Sequence, residues 1–140
     1  MSELKPVEAR PAGRRRRRNT VLEAMERFRR LNEDLNISAV LAFLYICENE
    51  GLNMCELAQV CRIAEATASR VARRLASPTT PGALPPGAGL VELRTNPFDQ
   101  RGKLLFLTPA GIALRDSIDG LIQEAVPIAS GAEPKALARA

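Results

Sequence analysis

The sequence predicts a mainly α-helical fold with a small β-hairpin wing, and three observations point to it. Two short helical patterns meet at a tight corner between Met54 and Leu75, two alternating segments follow at 89–94 and 103–108, and longer helical patterns flank this middle on both sides. Helix, helix, hairpin is the order of a winged helix-turn-helix. The expected succession is four helices, two strands and a closing helix.

The elements follow in order. Residues 1–13 mix Pro, Gly and charge without periodicity, and Arg14, Arg15, Arg16, Arg17 and Arg18 form an unbroken basic run. Residues 1–18 are therefore expected to be a disordered basic arm, a solvated tail that can also lie along phosphates. Thr20 with Glu23 reads as a capping box, and Val21, Leu22, Met25, Phe28 and Leu31 carry a helix to about Glu33. Ser38 is the next candidate cap. A helix from Ala39 to about Asn49 is expected to bury Val40, Leu41, Phe43, Leu44 and Cys47, with Gly51 ending it in the left-handed cap position.

Asn53 and Glu56 form a reciprocal capping pair for a short helix from Met54 to about Cys61, with Leu57, Ala58 and Cys61 inward. Arg62 to Ala64 leaves room only for a turn. Glu65 to Ala76 then resumes helical spacing, with Ala68, Val71, Ala72 and Leu75 on the inner face. The other face carries Glu65, Thr67, Ser69, Arg70, Arg73 and Arg74. Hydroxyl and guanidinium groups in that arrangement suit a recognition helix, because both bond base edges in a major groove and Arg also holds phosphates. An Arg-rich helix face is more often simply solvated, so the hairpin that follows is what strengthens the DNA reading.

Residues 77–88 contain four Pro and two Gly, which excludes helix and central strand and leaves a spacer or a contact loop. The wing follows, with a polar tip at 95–102 and Glu92, Arg94, Arg101 and Lys103 as its charged groups. Thr108 followed by Pro109 opens a helix running to about Ala125, with Leu114, Ile118, Leu121 and Ile122 on one face. The domain is thus expected over 19–126, with a flexible tail over 127–140.

With 140 residues, one domain is expected. Hydrophobic residues make up 46% and aromatics only 4%, so the core is aliphatic and alanine-rich. The net charge of +4 is unevenly placed. Residues 1–34 hold ten bases against six acids and residues 61–103 seven against three, whereas 35–60 hold three acids and no base. Positive charge on the arm and on the reading half suits salt-dependent binding to a polyanion.

Other classes are poorly supported. The chain has no His, no glycine-rich phosphate loop and no recognisable carboxylate pair, so no catalytic residue, metal site or cofactor is expected and the protein is read as not an enzyme. No stretch is apolar for long enough to span a bilayer and no signal-peptide core is present, which predicts a cytoplasmic, nucleoid-associated protein. Cys47, Cys55 and Cys61 are odd in number and sit at helical positions, so they are expected as reduced, buried thiols. The rival use is redox sensing at Cys55, near a helix N-terminus.

From Ile37 to Ile118 the chain resembles the MarR (multiple antibiotic resistance regulator) family of bacterial transcription factors. The resemblance rests on Glu56-Leu57-Ala58, on Thr67-Ala68-Ser69-Arg70 with Leu75, on Gly89-Leu90-Val91, on Asp99-Gln100-Arg101 and on Leu107-Thr108-Pro109-Ala110-Gly111. It implies that Asp99 and Arg101 brace the wing and place Arg101 in or beside a minor groove. It also implies a homodimer whose first helix packs on the partner subunit. The connection at 77–88 is longer than the family's, and the C-terminal section is shorter, so the interface must be built from helices 20–33 and 109–125. The family often holds a small-molecule pocket between its two parts, but no residue here indicates an effector.

The expected function is sequence-specific binding of double-stranded DNA by a homodimeric transcriptional regulator, on a pseudo-palindromic site. Thr67, Ser69 and Arg70 are expected at base edges, and Arg73, Arg74 and Lys103 at phosphates. The alternative is a winged-helix adaptor that binds a protein and has only weak, non-specific affinity for DNA.

Overall fold

The computed structural model describes residues 18–129, except for the side chains of Gln100 and Arg101. The elements are α1 (Thr20–Leu31), α2 (Ile37–Glu48), β1 (Leu52–Asn53), α3 (Met54–Cys61), α4 (Glu65–Leu75), β2 (Val91–Asn96), β3 (Asp99–Leu107) and α5 (Pro109–Gln123). This is a mainly α winged helix. The sheet is antiparallel in the order β1-β3-β2, so the long β3 is the central strand.

Its core is aliphatic, as the composition requires. Phe43, Ile46, Leu57, Leu75, Leu90, Leu105, Val71 and Val91 are its largest fully buried side chains. They come from α2, α3, α4, the sheet and Leu90 just before it, so α3 and α4 rest directly on α2. Phe28 of α1 meets Phe43 edge to face, with ring centroids 5.7 Å apart.

Several boundaries move by one or two residues, each for a local reason. Asn19, not Thr20, caps α1 by accepting from the Leu22 N–H at 2.8 Å. The Thr20 hydroxyl is used elsewhere, accepting from the Val126 N–H at 2.6 Å and tying the two ends of the domain together. Likewise Asn36, not Ser38, caps α2 through the Ala39 N–H at 2.9 Å. Asn49 ends that helix, and Gly51 takes its positive φ of 96° in the turn into β1. The α3 capping box of Asn53 and Glu56 forms as expected.

The inner face of α2 differs from the expected one. Ala39, Val40, Ala42, Phe43 and Ile46 are buried, while Leu41 and Leu44 are exposed and Cys47 is half-buried. A helix that is apolar all round leaves its inner face undetermined by periodicity, and the neighbours decide it. By contrast, α4 buries Ala68, Val71, Ala72 and Leu75 as its spacing dictates.

β1 has no alternation to betray it, since only Leu52 and Asn53 pair with Leu105 and Leu104. β2 lies two residues nearer the tip than expected and β3 is longer than expected, with pairing reaching Asn96 opposite Asp99, so the turn at the tip is tight. At the far end of the hairpin, the Thr108 hydroxyl donates to Gly89 O at 2.7 Å and accepts from the Gly111 N–H at 3.0 Å. A Cβ at Gly111 would stand 2.2 Å from Leu90 O, so glycine is what lets α5 approach the start of β2.

Candidate nucleic-acid interface

The polar face of α4 and the inner side of the wing border one cleft of about 440 Å³. Glu65, Ser69 and Arg73 line it from α4, one helical turn apart. Leu93, Asn96, Asp99, Gly102 and Lys103 line it from the wing, and Asn53, Met54, Cys55 and Pro81 complete the rim. Strand alternation explains the wing's share: Leu93 and Lys103 lie on the same side of the sheet as buried Val91 and Leu105.

The expected contacts of α4 fall into two rows. Arg70 is exposed and donates to Thr67 Oγ1 at 3.2 Å, so these two groups stand together one turn apart on the outermost row. Exposed Ala66 belongs beside them, a methyl group with no charge or hydroxyl to mark it in the sequence. Ser69 and Arg73 lie in the cleft, where Arg73 Nε donates to the Ser69 carbonyl at 3.4 Å. Arg74 is half-buried and Glu65 is exposed in the first turn.

On the wing, Lys103 is exposed and its Nζ donates to Thr95 Oγ1 at 3.4 Å. Arg94 is elsewhere. It stands on the opposite sheet face, paired with Glu92 at 2.6 Å and lying over the Phe106 ring at 4.0 Å from its centroid. Its distance from the cleft follows from its odd step along the strand relative to Leu93. Asp99 opens β3 and lines the cleft, while the Arg101 side chain lies outside the described residues, as do Arg14, Arg15, Arg16 and Arg17. Arg18 is described and sits 3.8 Å from Glu23 and 3.9 Å from Glu26, half-exposed pairs that hold it weakly on α1.

The segment 77–88 is not a slack spacer. The carbonyls of Arg73, Arg74, Leu75 and Ala76 accept from the N–H groups of Leu84, Ala88, Leu90 and Gly89 at 3.0, 2.9, 2.8 and 3.2 Å. A Cβ at Gly82 would lie 3.7 Å from the Arg73 side chain, so the loop also runs along that guanidinium's stem. The end of α4 is thereby tied down by backbone bonds that composition alone does not announce.

The cysteines divide by position. Burial, chiefly, pushes the Cys47 thiol up to about 11, with Arg115 drawing it back and Asp119, Glu50 and Glu48 adding to the rise. Burial also raises Cys61. Cys55 is exposed at the cleft rim, which corrects the expectation that all three are buried. Among the described residues, no group of His, Cys, Asp and Glu gathers in a metal-holding arrangement, and no helix is long and apolar enough to cross a membrane.

No protein-family model and no curated protein matches the sequence. Solved structures do match. A MarR transcriptional regulator from Methanosarcina mazei superposes with a TM-score of 0.56 at 16% identity, over 74% of this chain and 66% of the other. A MarR protein from Peptoclostridium difficile gives 0.54 at 21% identity, over 74% and 61%. The MepR–DNA complex of S. aureus gives 0.56 at 19% identity, over 74% and 79%. The match spans less than two thirds of the first two of these chains. The chain has a MarR-like winged-helix fold.

Proposed function

We propose that this chain, built on the winged-helix fold of MarR regulators, is a sequence-specific double-stranded DNA-binding transcriptional regulator that acts as a homodimer. The observation that carries the reading is the cleft itself: the row Glu65, Ser69 and Arg73 of a recognition-type helix and a projecting hairpin border one concave surface, with Thr67 and Arg70 on the row beside it. In this reading α4 enters a major groove. Thr67, Ser69 and Arg70 meet base edges, Glu65 accepts from a cytosine amino group, and Arg73, Arg74 and Lys103 hold phosphates. Asp99 and Arg101 brace the wing at an adjacent minor groove, and the arm from Arg14 adds non-specific attraction. Arg94, held on the far sheet face by Glu92 and Phe106, is the weakest member of the expected set. That one matched fold has been captured as a protein–DNA complex supports the reading.

The dimer is supported by hydrocarbon left in water. Val21 and Leu22 are exposed on α1 and Ile112 and Ile122 on α5, the two helices expected to build the interface, and Ile37, Leu41, Leu44 and Tyr45 run along one face of α2 and extend it. A hollow of about 260 Å³ joins α1 and α2, lined by Leu22, Met25, Ile37 and Val40 with Glu26, Arg29, Glu33 and Asn36 among its polar residues. A two-fold axis through this side would present two copies of α4 to half-sites about one helical turn apart. Such a regulator works in the cytoplasm, on the nucleoid.

The test is a mobility-shift titration on a duplex selected by the protein from a random pool, run beside unselected DNA at several salt concentrations. Arg70→Ala is expected to cost about 1–3 kcal/mol on the selected duplex and less on unselected DNA. Weak, sequence-blind affinity throughout would overturn the regulator in favour of a protein-binding adaptor.

A further inference from the structure

Among the described residues, Phe98 at the tip of the wing is the most exposed large hydrophobic side chain. It is 96% exposed, whereas the other three phenylalanines are packed: Phe28 against Phe43 in the core, and Phe106 under Arg94. Its position is fixed. Asn96 Oδ1 accepts from the Phe98 N–H at 2.9 Å, Pro97 restricts the backbone one residue earlier, and pairing of Asn96 with Asp99 closes the turn. A tight hairpin thus holds an aromatic ring at the far end of the cleft's wing wall.

An exposed ring of this kind offers roughly 150–250 Å² of surface that gains from leaving water. Its surroundings decide what covers it. Thr95, Pro97 and Asp99 beside it are exposed and mostly polar, so the ring is a point rather than part of an apolar patch. Protein interfaces need a broad contact of about 800 Å² per partner, which a two-residue tip does not provide. A duplex minor groove about 6 Å wide takes a single projecting side chain, and Phe is one of the residues that enter between base steps there. The same wing brings Lys103 to the cleft beside Ser69 and Arg73, and Asn96 and Asp99, which flank the turn that carries Phe98, line it too, so a duplex held in the cleft passes beside that turn.

We propose that Phe98 is a minor-groove wedge: when α4 occupies the major groove, the ring lodges against a neighbouring base step, partly unstacks it and bends the duplex. This rests on the DNA-reading proposal and adds to it a specificity determinant of a different kind. Steps that unstack easily, such as pyrimidine–purine steps, are favoured beneath the wing without any hydrogen bond to them.

The 140-residue chain contains no Trp, so Phe98→Trp in this chain gives a single indole reporter at the tip. It is titrated with the pool-selected duplex while retardation, indole emission and iodide access are followed together. Phe98→Ala and Phe98→Leu are compared by retardation and by circular-permutation bending. The expected result is quenched, iodide-protected emission on binding, about ten-fold weaker binding and loss of the bend for Phe98→Ala, and a bend largely kept by Phe98→Leu. If the duplex is retarded but the indole stays open to iodide and Phe98→Ala binds and bends like the parent, the wedge is overturned and the regulator stands. If no duplex is retarded at any salt concentration, both fall. If the indole becomes protected without DNA as protein concentration rises, the ring is covered by a second copy and the wedge is likewise overturned.

Discussion

α2 and α4 are neighbours of almost equal length, yet one turns hydrocarbon to the solvent and the other turns charge. Both bury one side in the same core. Outside it, α4 presents Glu65, Thr67, Arg70 and half of Arg73 and Arg74, which water or a phosphate backbone satisfies equally well. α2 presents Ile37 at 61% exposure and Leu41 at 48%, with Leu44 and Tyr45 beside them, which water does not satisfy at all. Two helices in one small domain are therefore finished differently, and the proposed function gives each its partner: a polyanion for one and an apolar surface for the other.

The comparison is sharpened most by cutting the two sides of α2 separately. Phe43→Ala removes a fully buried ring and should lower unfolding free energy by about 3–5 kcal/mol in a denaturant titration, whereas Leu41→Ala on the outer row should change it by less than about 0.5 at protein concentrations where the chain is monomeric. A large loss from Leu41→Ala in that monomer would break the division into inner and outer rows. Next in size, Leu41→Glu combined with Leu44→Glu should weaken self-association at least roughly ten-fold in sedimentation equilibrium while leaving far-UV circular dichroism unchanged, because a charge on the outer row must be desolvated in any apolar contact. Undiminished association would mean that this face is not where the copies meet.

The smallest effect concerns Cys47, between the two rows. Its folded-state thiol is raised to about 11 from an ordinary value of 9.0, mainly by burial, so the neutral form is the one the fold favours. That contribution is complete below the ordinary thiol range and is lost as pH rises through the folded value. Melting temperature should therefore fall between about pH 9 and pH 11, and Cys47→Ala should flatten part of that fall.

How much was legible in the sequence follows the same contrast. In α4 apolar and polar residues alternate sharply at helical spacing, and every inner position was readable. In α2 nearly every residue is apolar, so the pattern held no phase, and Leu41 and Leu44 were assigned to a core that Ala42 and Ile46 occupy instead. Of the candidate site, the α4 face and Lys103 were visible because charge and hydroxyl groups announce themselves. The sheet face of Arg94 was not legible, because strand parity depends on where pairing begins, and Phe98 carries no signal in the sequence beyond being one aromatic among turn residues. The order in 77–88 was invisible for a physical reason: it is made by backbone N–H groups, which every non-proline residue has.

That last feature changes the electrostatics of the whole reading head. A helix accumulates about half a negative charge at its final turn, which would push away any passing phosphate. Here the amide dipoles of Leu84, Ala88, Gly89 and Leu90 point into that turn and offset it. In the proposed complex Arg73 and Arg74 would then meet phosphates with the repulsive field of their own helix end offset, and with the last turn already held by four backbone bonds.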